Sequence, residues 1–251
     1  MGGSYALPPA TRPRETSTLA AMCGVVAVLR RRSTVAVPDA AALVAGLDAA
    51  LERLAAGPAG LSDAAAGLEE LDGRLRGPAG VRILAAHPEL AVRLEATMAE
   101  ARSAIAGLEA DLDAQRLPLT GAELEAANAA IVRLKDAVWA IASDRLRAAR
   151  EVTALAAGAT AFTGAFGAIG DAALEAYWAI YVALSAIDRL EVRGRDSAGL
   201  HLLVTGHGLD PSDPEIAARA TDPLFRSGSV RVVPDAAGGA ALAFVYKAAA
   251  E

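Results

Sequence analysis

Hydrophobic and polar positions follow two different periods along this chain, and the change from one to the other divides it. From Pro38 the apolar residues recur at helical spacing: Leu43, Leu47, Leu51 and Leu54 fall at i, i+4, i+8 and i+11, which places them on one face, and Gly57-Pro58 ends the run. A shorter stripe, Leu68, Leu71 and Leu75, ends at Gly77-Pro78. Leu90, Leu94, Met98, Ile105, Leu108 and Leu112 predict a long helix from about Pro88 to Arg116, with charged residues on its opposite face. After Pro118, Thr120 as N-cap and Glu123 three residues on form a capping-box pattern that starts another helix, carried by Ile131, Leu134, Val138 and Ile141 to about Val152. Leu174, Tyr177, Trp178, Tyr181, Leu184 and Ile187 predict a further amphipathic helix over Ala172 to Leu190. These stripes predict an antiparallel helical bundle whose alanines let the helices approach closely. Its charged faces read as solvated surface, with a partner-docking stripe as the lesser alternative.

Outside this region the pattern is that of strands. Val25 to Leu29 is apolar at every position, as in a strand buried on both faces, and Arg30-Arg31-Arg32 with Ser33-Thr34 closes it. Leu200 to Thr205 predicts a second strand, and Gly206 to Pro223 a loop with a short helix. Ser229 to Val233 and Ala240 to Tyr246, joined through Pro234-Asp235-Ala236-Ala237-Gly238-Gly239, predict a β-hairpin. Residues 1–21 hold several prolines and Ser/Thr with no apolar period and read as a disordered leader. The chain stops at Lys247-Ala248-Ala249-Ala250-Glu251, strong helix formers with no terminator, so a chain that continues further is expected.

Composition narrows the class. A formal charge of −6 and a pI near 5.2 argue against nucleic acid and anionic membrane surfaces as partners. The hydrophobic share of 54% is high, but aromatics supply only 4% and alanine most of the excess, as in an alanine-rich helical protein. Val152 to Gly170 is uncharged over about the length of a spanning helix, yet it is broken by threonines and glycines. Leu19 to Leu29 makes a poor signal segment, because a bulky Met22 precedes Cys23 and the arginine triplet follows the apolar run. A cytoplasmic location is expected.

Candidate chemistry rests on two short runs. Cys23 is the single cysteine, so it forms no intramolecular disulfide and no multi-cysteine metal site. Placed directly after Met22, it would become the first residue on removal of that methionine, with thiol and free α-amine on one residue; a small buried apolar residue at the head of a strand is the plainer alternative. The second run, Arg193-Gly194-Arg195-Asp196-Ser197-Ala198-Gly199, is a polar, glycine-punctuated turn between a predicted helix and a predicted strand. His87, His201 and His207 are too scattered to hold a metal ion, and no phosphate-cradling loop or paired-carboxylate site stands out.

Together, Cys23-Gly24-Val25-Val26 and Arg189 to Gly199 resemble the CGIVG start and the RLEYRGYDSAG signature of the class II glutamine amidotransferases, and within them the glutaminase domain of glucosamine-6-phosphate synthase. The resemblance covers residues 23 to about 30 and about 174 to 205. It implies an α+β fold, part of an N-terminal-nucleophile hydrolase αββα sandwich. Residues 23–34 and 171–251 would be the front of the amidotransferase domain, 35–170 an inserted helical bundle, and 1–22 a leader or a start assigned too early, with Met22 the favoured true start. Such an insertion at a surface loop is tolerable because closure entropy grows slowly with loop length.

The resemblance further implies that Cys23 attacks the side-chain amide of L-glutamine with its own α-amine as general base, and that the thioester formed is hydrolysed after ammonia leaves. Gly24, Arg193, Gly194, Asp196 and Ser197 would position the site. The chemistry calls for no cofactor and no metal. A sugar phosphate would accept the ammonia on domains downstream of Glu251, and assembly of several copies is left open. Two departures matter: residues 1–22 would mask the amine, and neither the family's GHTRWATHG-like clamp nor its Asn-Gly oxyanion donors occur before Glu251. The isolated chain is therefore expected to be inactive. The alternatives are a related amidotransferase with another acceptor, or a non-catalytic interaction protein that retains the fold.

Overall fold

The computed structural model describes residues 25–163, 170–190, 197–210, 212–218, 223, 229–234 and 239–249, with side chains left undescribed at 159–163, 197, 215, 216, 248 and 249. The chain divides into two compact units, one of residues 26–186 and one of residues 187–251 with 1–25.

The first unit is helical. Helix α1 (Ala40–Ala55) starts at Asp39, whose carboxylate accepts the Ala42 N–H at 2.8 Å. It ends at Gly57, where φ is +73°, a left-handed conformation that costs glycine nothing. A 3₁₀ turn over Gly57–Gly60 leads into α2 (Leu61–Arg74). Gly77-Pro78, expected to be only a stop, is also a start: Gly77 takes φ +67° after α2, and Pro78 sits in the first turn of α3 (Gly77–Ala86). Two residues on, Gly80 is required by close approach, since a Cβ there would lie 1.8 Å from the Leu75 carbonyl oxygen. The following helices are α4 (Pro88–Asp113) and α5 (Gly121–Trp139), which opens as its capping-box sequence predicts, Glu123 accepting the Thr120 N–H at 2.7 Å and its hydroxyl at 2.8 Å.

The predicted single helix to Val152 is instead interrupted and longer. A π-helical segment, Ala140–Arg145, joins α5 to α6 (Leu146–Thr163). At its end Arg145 donates to buried Asp72 on α2 at 2.7 Å, while Arg76 donates to the other oxygen of the same carboxylate at 2.6 and 3.0 Å. An Asp on the Leu68/Leu71/Leu75 face is thus paired on both oxygens, which makes its burial tolerable.

One core runs through α1 to α5 and into α6, with Leu47, Leu94, Leu134 and Ile141 wholly buried. A smaller one joins Val81 of α3, Val152 and Ala156 of α6, and Leu174 of α7 (Asp171–Leu190). The uncharged stretch after Val152 is therefore apolar at Val152 and Ala156 because it packs on α3 and α7. Among the described residues no helix is long and apolar enough to cross a membrane. The predicted solvated faces carry exposed inter-helix ion pairs such as Arg133–Glu69 and Arg93–Asp48, of the kind that contributes little stability.

The second unit holds a three-stranded antiparallel sheet in the order β1-β3-β2, from β1 (Ser197–Val204), β2 (Val230–Pro234) and β3 (Ala240–Ala249), with a short helix α8 (Pro214–Ala218) between β1 and β2. The predicted hairpin is present, with Pro234 opposite Ala240. The fold is thus mixed helix and sheet, mostly helical.

Two expectations are corrected. Val25 to Leu29 is not a strand: it has no regular secondary structure and pairs with no strand among the described residues, with Val25 and Leu29 each 92% exposed. A strand exists only where a neighbour supplies the ladder, and β1, β2 and β3 pair with one another. Conversely, Lys247-Ala248-Ala249 does not follow its helix propensity. It extends β3 because β1 offers a ladder there, with Ser197 opposite Ala249, Ala198 opposite Ala248 and Gly199 opposite Lys247.

Candidate functional site

The residues that carry the amidotransferase resemblance fall mostly outside the described residues: Cys23, Gly24, Arg193, Gly194 and Asp196 all do so. Ser197 is described in its backbone alone, as the first residue of β1. What flanks these positions is described. The 25–37 segment follows Cys23 and α7 leads toward Arg193, while β1, expected to begin at Leu200, begins at Ser197 and takes in the last three residues of the second run.

The 25–37 segment is placed by a few contacts within the helical unit. Ser33 donates its N–H to both carboxylate oxygens of Glu175, at 3.4 and 3.3 Å, and Arg30 approaches the same carboxylate at 3.6 Å. Glu175 lies in the first turns of α7 and is only 3% exposed. A cleft of about 270 Å³ opens here, with Arg31 and Leu29 on the segment side and Pro78 and Trp178 on the helix side. Near the start of α7, Asp171 is hydrogen-bonded by Arg82 of α3. Glu175 was not among the residues picked out from the sequence, although a signal existed: it is the one charged residue next to Leu174 and three before Trp178 on an otherwise apolar face. Asp72 carries the same signal.

His87 caps the start of α4 and shares a 2.8 Å hydrogen bond with Glu89, whose carboxyl it holds below the usual range. His201 lies on β1 opposite Val245. His207 sits between Gly206 and Gly208, both in the left-handed region; its Nδ1 accepts the Leu209 N–H at 3.0 Å, so in the neutral ring Nε2 carries the proton, and that Nε2 is buried with no hydrogen-bond partner among the described residues. Nearby, Asp210 accepts from the Ser212 hydroxyl and N–H at 2.7 and 2.8 Å, and these bonds keep its carboxyl below the usual range. Among the described residues no three His, Cys, Asp or Glu side chains are arranged to hold a metal ion.

No known protein family, curated protein or solved structure matches this chain. Its chemistry therefore has to be argued from its own residues.

Proposed function

We propose that this chain is the glutamine-hydrolysing part of an N-terminal-nucleophile amidotransferase, the front of an enzyme that passes ammonia to fructose 6-phosphate. The observation that carries the reading is the ordered pair of runs, Cys23-Gly24-Val25-Val26 and Arg189 to Gly199, the second of them starting on the last residues of α7 and ending on the first of β1. Antiparallel strands with helical neighbours are also what a partial αββα sandwich would use, with 35–170 as the inserted helices.

In this reading Cys23, once N-terminal, attacks the side-chain carbonyl carbon of glutamine. Its α-amine takes the thiol proton through a water molecule and delivers it to the leaving nitrogen. The C–N bond breaks, ammonia departs, and water cleaves the γ-glutamyl thioester to glutamate and free thiol. Gly24, Arg193, Gly194, Asp196 and Ser197 shape the turn and the strand head around that thiol. A cationic amine on the same residue lowers the thiol pKa and favours thiolate. No cofactor is required, and the location is cytoplasmic.

Intact-mass analysis and an ammonia-release assay on the native full-length protein test this together. The expected result is a mature chain starting at Cys23 whose glutamine hydrolysis Cys23→Ser removes. Activity that survives Cys23→Ser, or that coexists with retained residues 1–22, overturns it. A second reading, a helical interaction protein without catalysis, is favoured by one observation: the run after Cys23 is unpaired and exposed at Val25 and Leu29.

A further inference from the structure

Ile141 and Leu146 are both buried in the larger core although they stand five residues apart. At about 3.6 residues per turn, five residues carry a side chain about 140° round a helix, so an unbroken helix would send Leu146 off the face that Ile141 occupies. The residue that an unbroken helix would bring to that face is the one four on, Arg145. The π turn removes the conflict: Leu146 donates its N–H to the Ile141 carbonyl, five residues back, and the turn takes up one extra residue. A leucine enters the core where an arginine would have gone.

Arg145 is left at the margin of the core, where it meets Asp72. Its Nε donates to one oxygen of that buried carboxylate at 2.7 Å, across 73 positions of chain, while Arg76 occupies the other oxygen. π turns are rare inside helices, so one that persists needs something to hold it, and a bond from its last residue to α2 does so.

Beyond the turn, α6 has apolar residues for either phase. As it stands, Ala149, Val152 and Ala156 are buried and Leu155 is 36% exposed. In an unbroken helix, positions i+7, i+11 and i+14 from Ile141 are Ala148, Val152 and Leu155, a set no less apolar. The two phases differ in which of Leu155 and Ala156 is covered, and in whether Arg145 keeps its acceptor.

We propose that Asp72 is a latch on the register of α6. Its bond to Arg145 holds the π turn, and with it the face that α6 presents to Val81 of α3 and Leu174 of α7. Release of Arg145 returns the turn to α-helical hydrogen bonding and rotates α6 by one residue, so that Leu155 goes in and Ala156 comes out. The connection between α5 and α6 is thus a two-register device, and one buried carboxylate selects the register.

The test reads the register in the full-length protein from the labelling rate of a thiol introduced by Leu155→Cys or by Ala156→Cys, separated from Cys23 by peptide mass. With Asp72 in place, the thiol from Leu155→Cys is expected to label about tenfold or more faster than the one from Ala156→Cys. Adding Asp72→Ala, or Arg145→Met, which keeps the apolar stem without the donors, is expected to reverse that order. Each variant removes the bond from one side, so either gives the reading if the other fails to fold. Deletion of Ala142 takes out the extra residue of the turn, and in that background Asp72→Ala is expected to leave the order as in the wild type.

An order unchanged by Asp72→Ala and by Arg145→Met overturns the proposal. So does faster labelling at both positions together, the sign of an unfolded helix end rather than a rotated helix. Reversal that persists after deletion of Ala142 also overturns it, because Asp72 would then act on α6 by another route than the π turn.

Discussion

The helical unit and the sheet unit solve the same problem of covering apolar side chains to different extents. In residues 26–186 each amphipathic stripe finds another, and leucines on α1, α4 and α5 are sealed from solvent. In the sheet, the register puts Leu200, Leu202, Val204, Val230, Val232, Leu242, Phe244 and Tyr246 on one face, and of these Val230 alone is buried. Val232 is 54% exposed and Tyr246 41%. On the other face it is two alanines of β3, Ala241 and Ala243, that are covered. A helix buries one stripe, whereas a sheet has two faces and needs a layer against each. The helical unit therefore closes on itself, and the sheet shows an apolar face of the kind that another layer covers.

Substitutions in both units can break or sharpen that contrast. The largest effect is expected from Leu134→Ala in α5, which leaves a cavity in the sealed core and should cost about 2–5 kcal/mol in urea unfolding followed by helical circular dichroism. Leu202→Ala on the half-covered sheet face should cost about 1 kcal/mol or less; equal losses would remove the distinction between the units.

Next comes Asp72→Ala. It strips Arg145 and Arg76 of their shared acceptor and should cost about 2–3 kcal/mol, because Arg145 is largely buried and left without its partner. A double-mutant cycle with Arg145→Ala should show strong coupling, and simple additivity would mean that the π segment does not act through this pair.

An effect as small as that of Leu202→Ala is expected at the start of α5, where Thr120→Ala should cost about 1 kcal/mol. There the Thr120 N–H and hydroxyl hold the Glu123 carboxyl below its ordinary range. A carboxyl lowered on folding stabilises the folded state above its unfolded pKa, and that contribution is lost as pH falls through the lower folded value. The difference in thermal midpoint between wild type and Glu123→Gln should therefore be present at neutral pH and shrink on acidification. A difference independent of pH would show that the carboxylate charge is not what caps the helix.

Much of the helical unit was legible in the sequence because its signals are local. Leucines at i and i+4, the Thr120/Glu123 cap and the Gly-Pro pairs each act within a few residues, and the helices start and stop close to where these fall. α3 was missed because Gly77-Pro78 ends one helix and begins another in the same two residues. Of the candidate site, the helix before the second run and the strand after it were legible, since α7 and β1 are each marked by their own period, although β1 begins three residues earlier than the period showed. Glu175 and Asp72 were marked only as acids on apolar stripes; that they are buried and which groups pair with them depend on distant residues, Ser33 with Arg30 and Arg145.

The sequence by itself determined the two periods, the helical stripes, the caps and the two short runs on which the proposed role of Cys23 rests. Tertiary structure decided what depends on a partner far away in the chain. It left Val25 to Leu29 unpaired although the run is apolar enough for a strand, and it drew Lys247 to Ala249 into β3 although they favour helix. The physical reason is the same in both cases: helical hydrogen bonds close within four residues, while a strand's are made only if another strand lies alongside.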